Sequence, residues 1–524
     1  MKAKLYIIAF VFLSLQIDLL AQEKTVNVEL SASASRKLST RFIGIVGTTD
    51  EGIYILRLKS KGYSISGGGL GKKGELFLDK YDHESNLIKS KEIKDIPITI
   101  VSKAKDKSYE FFYQDEKEGI WLFYSDELKG ENRLFRKRLN QETLDFEEPI
   151  LVANHLIMKK GLDRRSNYSI IQSKDKKKFA IYSFSGNTKT RKSHAYVEVF
   201  DNSMNSEWVI NATIPEFNKS GFETKFTNLG VAGGNKEDIL LSNDGRLNVL
   251  NEVFVEKSYD EYEHILYSFH KGISEPVIHY LKNSDKYFVD LSLAHHKNGS
   301  IKIVGFYSNE KGLNPIDGLF VQSLAPLSLA VKAEEYIPFS EEDKVNFYFG
   351  GREKASKKVL DKIEKGKGFD LPSYLTINSI YTLENNSVTL CSEYLNSFQR
   401  KGVTYFGFYS MQFINISESG EINWIEKYTK KQIDRRTLSG SVYEMFEDDV
   451  IYFVYNDILN RDLLAGQING NGESSSEVVL TSKKMGDLAN FVIFPSNISK
   501  IADNQYMGVA LRAFGQSLLK IEIE

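Results

Sequence analysis

A single cysteine, Cys391, stands in a chain of 524 residues, so the folded monomer has no internal disulfide and must draw its stability from a core. Cys391 lies in the strand-like run SVTLCSEY, where a thiol packs as a small buried hydrophobe. Charge of one sign is also lacking. The 68 Lys and Arg against 70 Asp and Glu leave a net charge of -2, which excludes a general nucleic-acid binder. No segment after residue 21 is long and apolar enough to span a membrane.

Assembled catalytic and metal motifs are missing too. Gly69, Gly71 and Gly74 have the spacing of a dinucleotide-binding turn, but strand-like sequence lies on both sides, and that chemistry needs a helix N-terminus facing the pyrophosphate. A loop joining two strands is the better reading. Ser66 stands where a Walker A loop needs its first glycine. His295 and His296 are adjacent, so in a strand they point to opposite faces, and the other six histidines have no ligand spacing. No metal is expected. The segment Asn469 to Glu473, NGNGE, lacks the carboxylates of a calcium loop and reads as a hairpin turn. Glu447, Asp448 and Asp449 fall in a hairpin turn and Glu334 and Glu335 in an outer strand, which singles out no catalytic pair. No Gly-x-Ser-x-Gly elbow is present.

What is present begins with a leader. Lys2 and Lys4 precede an apolar run from Leu5 to Leu15, and Leu19, Leu20 and Ala21 offer a cleavage point before Gln22. Residues 1–21 are expected to be a secretory signal peptide. Its removal takes away Lys2, Lys4 and Asp18 and moves the net charge from -2 to -3. The mature chain is expected to be exported: periplasmic, outer-surface or extracellular.

The remaining sequence, in a chain that is 41% hydrophobic and 12% aromatic, is rich enough in apolar residues for a large core. Runs such as IWLFY from Ile120 and VIYFVY from Val450 are apolar on both alternating faces, as strands covered on both sides must be. The strand Leu134 to Leu139, with Arg136, Lys137 and Arg138, is mixed, as expected nearer a wet outer edge. Hairpins of one kind recur, and their third strands start near Leu76, Leu134, Tyr196, Ile265, Leu319, Tyr409, Leu464 and Leu518. The intervals are 58, 62, 69, 54, 90, 55 and 54, and subtracting a 34-residue segment from Ser340 to Ser373 brings the outlier to 56. This regularity predicts an all-β ring of repeats, a β-propeller, with one inserted segment.

Eight blades are favoured. Seven would follow if the irregular fourth repeat, ILLSNDGRLNVLNEVFVE, were a decoration. The chain ends in SLLKIEIE, a third strand without a fourth, and TVNVEL at Thr25 to Leu30 is a strand without a hairpin, so pairing the two closes the ring and removes an exposed edge. The insertion predicts one real helix, with Ala355, Val359 and Ile363 recurring every four residues. It also predicts the acid–base pairs Glu353–Lys357 and Asp361–Lys365, and ends at Gly366 and Gly368. Ser340 followed by Glu341, Glu342 and Asp343 predicts at most a further turn or two.

One coincidence suggests a binding site. Asp163-Arg164-Arg165-Ser166 and Asp434-Arg435-Arg436-Thr437 each precede the first strand of a repeat, after Lys159 and Lys160 in one copy and Lys430 and Lys431 in the other. Connections of that kind share one face of a propeller. Arg164, Arg165, Arg435 and Arg436, with Lys160 and Lys431, are therefore candidate ligands of an anion such as phosphate, sulfate or a uronic acid. The bland alternative is two solvated basic loops in which one arginine bridges to its own aspartate.

The hairpins FDNSMNSEW, Phe200 to Trp208, and INISESGEINW, Ile414 to Trp424, resemble the outer hairpins of secreted bacterial β-propellers, including the quinoprotein and WD40-like groups. The resemblance covers most of the mature chain and implies a ring with a central funnel and no particular substrate. Quinoprotein propellers carry a docking tryptophan in nearly every blade, whereas only Trp208 and Trp424 occupy that place here and Trp121 sits elsewhere. No pyrroloquinoline quinone or other cofactor is implied. Two functions follow as expectations: a binding or scaffolding module of the cell envelope for a protein or glycan partner, or a carbohydrate-active hydrolase or lyase on an acidic sugar at the funnel mouth. The first predicts a funnel free of converging, strongly perturbed ionisable groups.

Overall fold

The computed structural model describes residues 24–31, 40–60, 74–94, 108–128, 130–156, 168–187, 192–215, 238–254, 262–281, 285–296, 299–310, 315–366, 371, 375–400, 403–434, 442–457, 462–481, 492–493, 498–512 and 515–524. The strands form eight antiparallel sheets, seven of four strands in sequence order and one of five. Each sheet is one blade. Blade 1 runs Thr40–Thr49, Gly52–Ser60, Gly74–Tyr81 and Leu87–Ile93, and blade 2 runs Ser108–Gln114, Ile120–Leu128, Glu131–Arg138 and Ile150–Leu156. All eight expected third strands are third strands. The irregular fourth repeat is a complete blade, Ile239–Leu241, Leu247–Phe254, Tyr262–Phe269 and Val277–Leu281, so the count is eight.

Blade 8 is built from both ends of the chain. Val492–Ile493 and Ser499–Ala502 pair with Gln505–Arg512, which pairs with Gly515–Ile523, whose outer neighbour is Val26–Leu30. Val26 faces Ile523 and Val28 faces Ile521, and Thr25 and Glu524 exchange backbone hydrogen bonds of 2.7 and 2.9 Å. Apolar packing closes the circle as well. Phe42 and Ile53 of blade 1 share a buried cluster with Met507, Val509 and Leu518 of blade 8.

The other seams are filled in the same manner. Blade 3 (Ser169–Gln172, Lys178–Asn187, Lys192–Asp201, Ser206–Pro215) packs on blade 4 through Val197, Trp208, Val249 and Tyr267. Blade 5 (Tyr287–His295, Ile301–Ser308, Gly318–Leu324, Val331–Pro338) packs on blade 6 (Leu375–Thr382, Val388–Arg400, Val403–Ile416, Ile422–Asp434) through Val304, Phe306, Ile377 and Leu390. Blade 7 (Val442–Glu447, Val450–Asp457, Asp462–Asn469, Ser474–Thr481) meets blade 6 through Cys391, Met411 and Phe453. Each strand's alternation sends its side chains to two neighbouring blades, so a middle strand such as Ile301–Ser308 is buried along its whole length.

The two ends of the ring differ. Turns joining first to second and third to fourth strands lie at one end, and most are short. Asp82, Asp115, Asp201 and Asn469 each open such a turn. Their backbone carbonyls accept from the residue three positions on, and their side chains accept from the amide four positions on. The residue at the third position has positive φ, 68° at Ser85, 59° at Glu118, 68° at Met204 and 83° at Gly472. This is a type I turn followed by a left-handed residue, which an aspartate or asparagine side chain stabilises. The turn expected at Glu447 to Asp449 is of the primed kind, with Asp448 and Asp449 at φ 50° and 61°. The second and fourth strands of each blade finish at the opposite end, and most of the residues that follow them lie outside the described residues.

The insertion holds two helices rather than one. α1, Glu341–Phe349, is nine residues long because Ser340 and Asp343 form a reciprocal capping box and Val345 and Phe347 are buried. A 3₁₀ turn, Arg352–Lys354, leads to α2, Lys357–Glu364. The expected acid–base pairs do not form. Glu353 sits in the 3₁₀ turn with its carboxylate 3.9 Å from Lys354, and neither Lys357 nor the Asp361–Lys365 pair is ion-paired. Among the described residues no helix is long and apolar enough to cross a membrane.

Candidate functional site

The inner strands of the blades line a central channel, and two side chains from opposite sides meet in it. Lys174, in the first turn of blade 3, places its Nζ 5.2 Å from the ring centre of Phe446 on the inner strand of blade 7. Phe446 in turn stacks on Tyr381 of blade 6 at 5.0 Å. Blades 3 and 7 are four apart in a ring of eight, so this contact crosses the axis at the short-turn end. His295, last residue of the inner strand of blade 5, lies within electrostatic reach of Lys174, Arg246 and Asp244. Neither of its ring nitrogens has a partner, and burial lowers its pKa to about 4. His296 faces the other way, toward Lys302 and Glu418, as adjacent strand residues must.

Two seams contain polar networks that the hydrophobic pattern conceals. Between blades 6 and 7, Lys430 of an outer strand forms a buried ion pair with Glu393, whose second oxygen accepts from Asn378 Nδ2 at 2.5 Å. Beside it the Glu444 carboxylate accepts from the Ser379 hydroxyl and, at 2.9 Å, from Tyr381. Burial raises the Glu444 carboxyl and the Cys391 thiol and lowers the Lys430 ammonium, because each charged form loses its water. Lys430 therefore does not join an anion site on the surface. Its side chain is 0% exposed.

Between blades 2 and 3, Tyr168 has its hydroxyl 2.8 Å from the Asn132 carbonyl and 2.8 Å from His155 Nδ1. A hydroxyl has one proton and the carbonyl can only accept, so Tyr168 donates to Asn132 and His155 Nδ1–H donates to Tyr168. The His155 ring stacks on Tyr196 at 5.6 Å, and Tyr196 donates to Glu198. Burial, with His194 close by, lowers His155 to about 4. The perturbed groups of these two networks converge within the packing between blades rather than in the funnel.

The candidate anion ligands divide between the described and undescribed parts of the chain. Arg164, Arg165 and Lys160 lie outside the described residues, as do Arg435 and Arg436, and Lys431 belongs to the outer strand of blade 6. The strand ends nonetheless fix where these segments leave and rejoin the ring. In the sequence, residues 157–167 stand between the outer strand of blade 2 and the inner strand of blade 3, and residues 435–441 between the outer strand of blade 6 and the inner strand of blade 7. Gly69 and Gly71 also lie outside the described residues. Asn469 to Glu473 is the expected turn, and among the described residues no three His, Cys, Asp or Glu converge on a metal position.

The tryptophans behave as expected. Trp424 Nε1 donates to the Gly470 carbonyl of the next blade at 3.0 Å and leaves room only for glycine at 472, where a Cβ would stand 2.8 Å from its ring. Trp208 is buried between blades 3 and 4. Trp121 instead donates to Asp115 at 2.8 Å, with the guanidinium carbons of Arg136 and Arg138 4.9 and 5.8 Å from its ring. Sequence reasoning missed Lys174, Phe446, Glu393, Glu444 and His155. The one available signal was charge inside apolar strands, as at Glu110 in SYEFFY and Glu393 in TLCSEY.

No family model matches the chain, and no curated protein matches it. Solved structures similar to it include the WD40 domain of SCAP from fission yeast, at 8% identity over 96% of this chain and 98% of that one, with a TM-score of 0.38. The polysaccharide lyase Uly1 is similar at 11% identity over 92% of this chain and 89% of its own, with a TM-score of 0.37. The β-propeller domain of the Trilobed protease from Pyrococcus furiosus is similar at 10% identity over 83% of this chain and 97% of its own, with a TM-score of 0.33.

Proposed function

We propose that the chain is a binding and scaffolding propeller of the cell envelope, exported by its N-terminal leader, whose protein or glycan partner docks on the end opposite the short turns. One observation carries this reading. In the sequence, both Asp-Arg-Arg segments follow an outer strand and precede the next inner one, after blade 2 and after blade 6, four blades apart in the ring. Guanidinium groups there hold carboxylate or sulfate in a fork, which suits an anionic partner that lies over the channel mouth. The buried Lys430–Glu393 pair supports a structural role rather than turnover, since the two side chains are only 0% and 3% exposed.

The test is a variant with Arg164, Arg165, Arg435 and Arg436 all replaced by serine, compared with the unchanged protein in pulldowns from native envelope extract. Loss of one specific partner with an unchanged melting curve is the expected result. Equal capture by both proteins, or release of unsaturated sugar from a uronate polysaccharide by the unchanged protein, would overturn the reading. N-terminal sequencing of the exported protein checks cleavage before Gln22.

A further inference from the structure

The insertion between blades 5 and 6 is anchored on one side and charged on the other. α1 is seated by Phe347, whose ring lies 5.6 Å from Phe339 and 6.0 Å from Phe306 of blade 5, and Lys427 of blade 6 donates to the Tyr348 carbonyl. This fixes the platform from which α2 follows. Successive residues of α2 turn by about 100°. Val359, Leu360 and Ile363 therefore share one side, and each is half-buried, whereas Lys358, Lys362 and Lys365 share the other and are exposed. With Lys357 they make four lysines without an ion pair, while nearby Arg352 is held by Glu342 at 2.9 Å. From Arg352 to Lys365 six cations stand against three carboxylates, a local charge of +3 in a chain whose net charge is -2.

We propose that this lysine ridge is a docking site for an anionic polysaccharide carrying sulfate or uronate groups. The ridge spans about 10 Å along the helix, from Lys358 to Lys365. Its chemistry discriminates among anions. A membrane surface would need the apolar stripe turned outward, and here it is the lysines that face solvent. A protein interface needs an apolar or aromatic anchor at its centre and is depleted of lysine, and the ridge offers point charges alone. A flexible polymer with charges distributed along it is the partner that such a row satisfies without an anchor. The insertion runs from the outer strand of blade 5 to the inner strand of blade 6, the same kind of connection in whose sequence both Asp-Arg-Arg segments stand, so the proposal deepens the binding reading above and rests on it.

Chondroitin sulfate, which carries both groups, is the probe, with uncharged dextran as control. The triple variant K358Q/K362Q/K365Q should bind chondroitin sulfate about tenfold more weakly, as loss of three exposed contacts implies. Its melting curve should be unchanged, and binding by the unchanged protein should weaken with added salt. In the unchanged protein, chondroitin sulfate should protect the same three amines from acylation, a readout that needs no variant. Unaltered affinity and no protection overturn the ridge. If the four-arginine variant alone loses binding, the ridge falls and the binding reading stands. If neither variant loses binding, both fall. Equal competition by polyglutamate of matched charge overturns the assignment to a glycan.

Discussion

Lys174 and Phe446 meet across the centre of the ring, a cation held over an aromatic face by residues of opposite blades. The contact is exposed on the lysine side, so it adds little to stability, about 0.5–1 kcal/mol. It stands within electrostatic reach of His295, whose ring nitrogens are inaccessible, and we expect it to cover them. In the double variant K174A/F446A, His295 should become reactive to diethylpyrocarbonate while the melting temperature moves by only a few degrees. Unchanged reactivity would mean that the cover lies elsewhere.

Arg246 is the most heavily engaged cation of the short-turn end. Only 3% exposed, it donates to Asp244 at 2.7 Å, to the Gly299 carbonyl at 2.9 Å and to the Pro326 carbonyl, so one side chain ties two turns of blade 5 to a turn of blade 4. Replacing it by alanine should cost roughly 1–2 kcal/mol, because three part-buried acceptors lose a charged donor. Lysine should not restore the loss, since an ammonium lacks the planar fork that reaches three acceptors. Urea denaturation of both variants checks this.

The Lys430–Glu393 pair makes an asymmetric prediction. Lys430→Met leaves a carboxylate buried without its cation and should cost about 3–5 kcal/mol. Adding Glu393→Met removes the stranded charge and should recover most of that loss, because a buried ion pair stabilises little more than apolar residues of similar volume. A double-mutant cycle in urea measures the coupling. Additive costs would contradict the contact.

His155 sets a pH dependence. Its pKa is lowered to about 4 in the folded chain from an ordinary 6.5, so between those values the unfolded chain binds the proton and the folded chain does not. Stability is therefore complete above pH 6.5, falls as the pH drops, and is fully lost to this group below about 4. A shift of that size corresponds to about 3 kcal/mol. His155→Phe should flatten this part of the curve, measured by urea midpoints between pH 4 and 7. An unchanged slope would place the titration at another group.

Most of the architecture was legible in the sequence. The third strands at Leu76, Leu134 and Tyr196 and their successors carry an apolar run, a polar turn and a second strand, a local pattern that survives folding because each hairpin pairs with itself. The closure at Val26 and Ile523 was also legible, since a strand without a partner at each end leaves a single solution. The seam networks were not. Whether Lys430 faces water or Glu393 depends on which blade covers the outer strand, and no spacing along the chain encodes that neighbour. α1 was underestimated for a similar reason. Its capping box was visible at Ser340 and Asp343, but its length comes from burying Val345 and Phe347.

The pairing of Val26–Leu30 with Gly515–Ile523 also bears on how the chain reaches its native state. The last blade joins segments nearly five hundred residues apart, a contact of very high sequence separation, the kind that slows folding. During synthesis the earliest strand has to wait for the latest one, and until then blade 8 lacks its rim. A folding helper that shields that waiting strand would act before the ring locks, and slow synthesis of the final hairpin would lengthen the period in which the nascent protein aggregates.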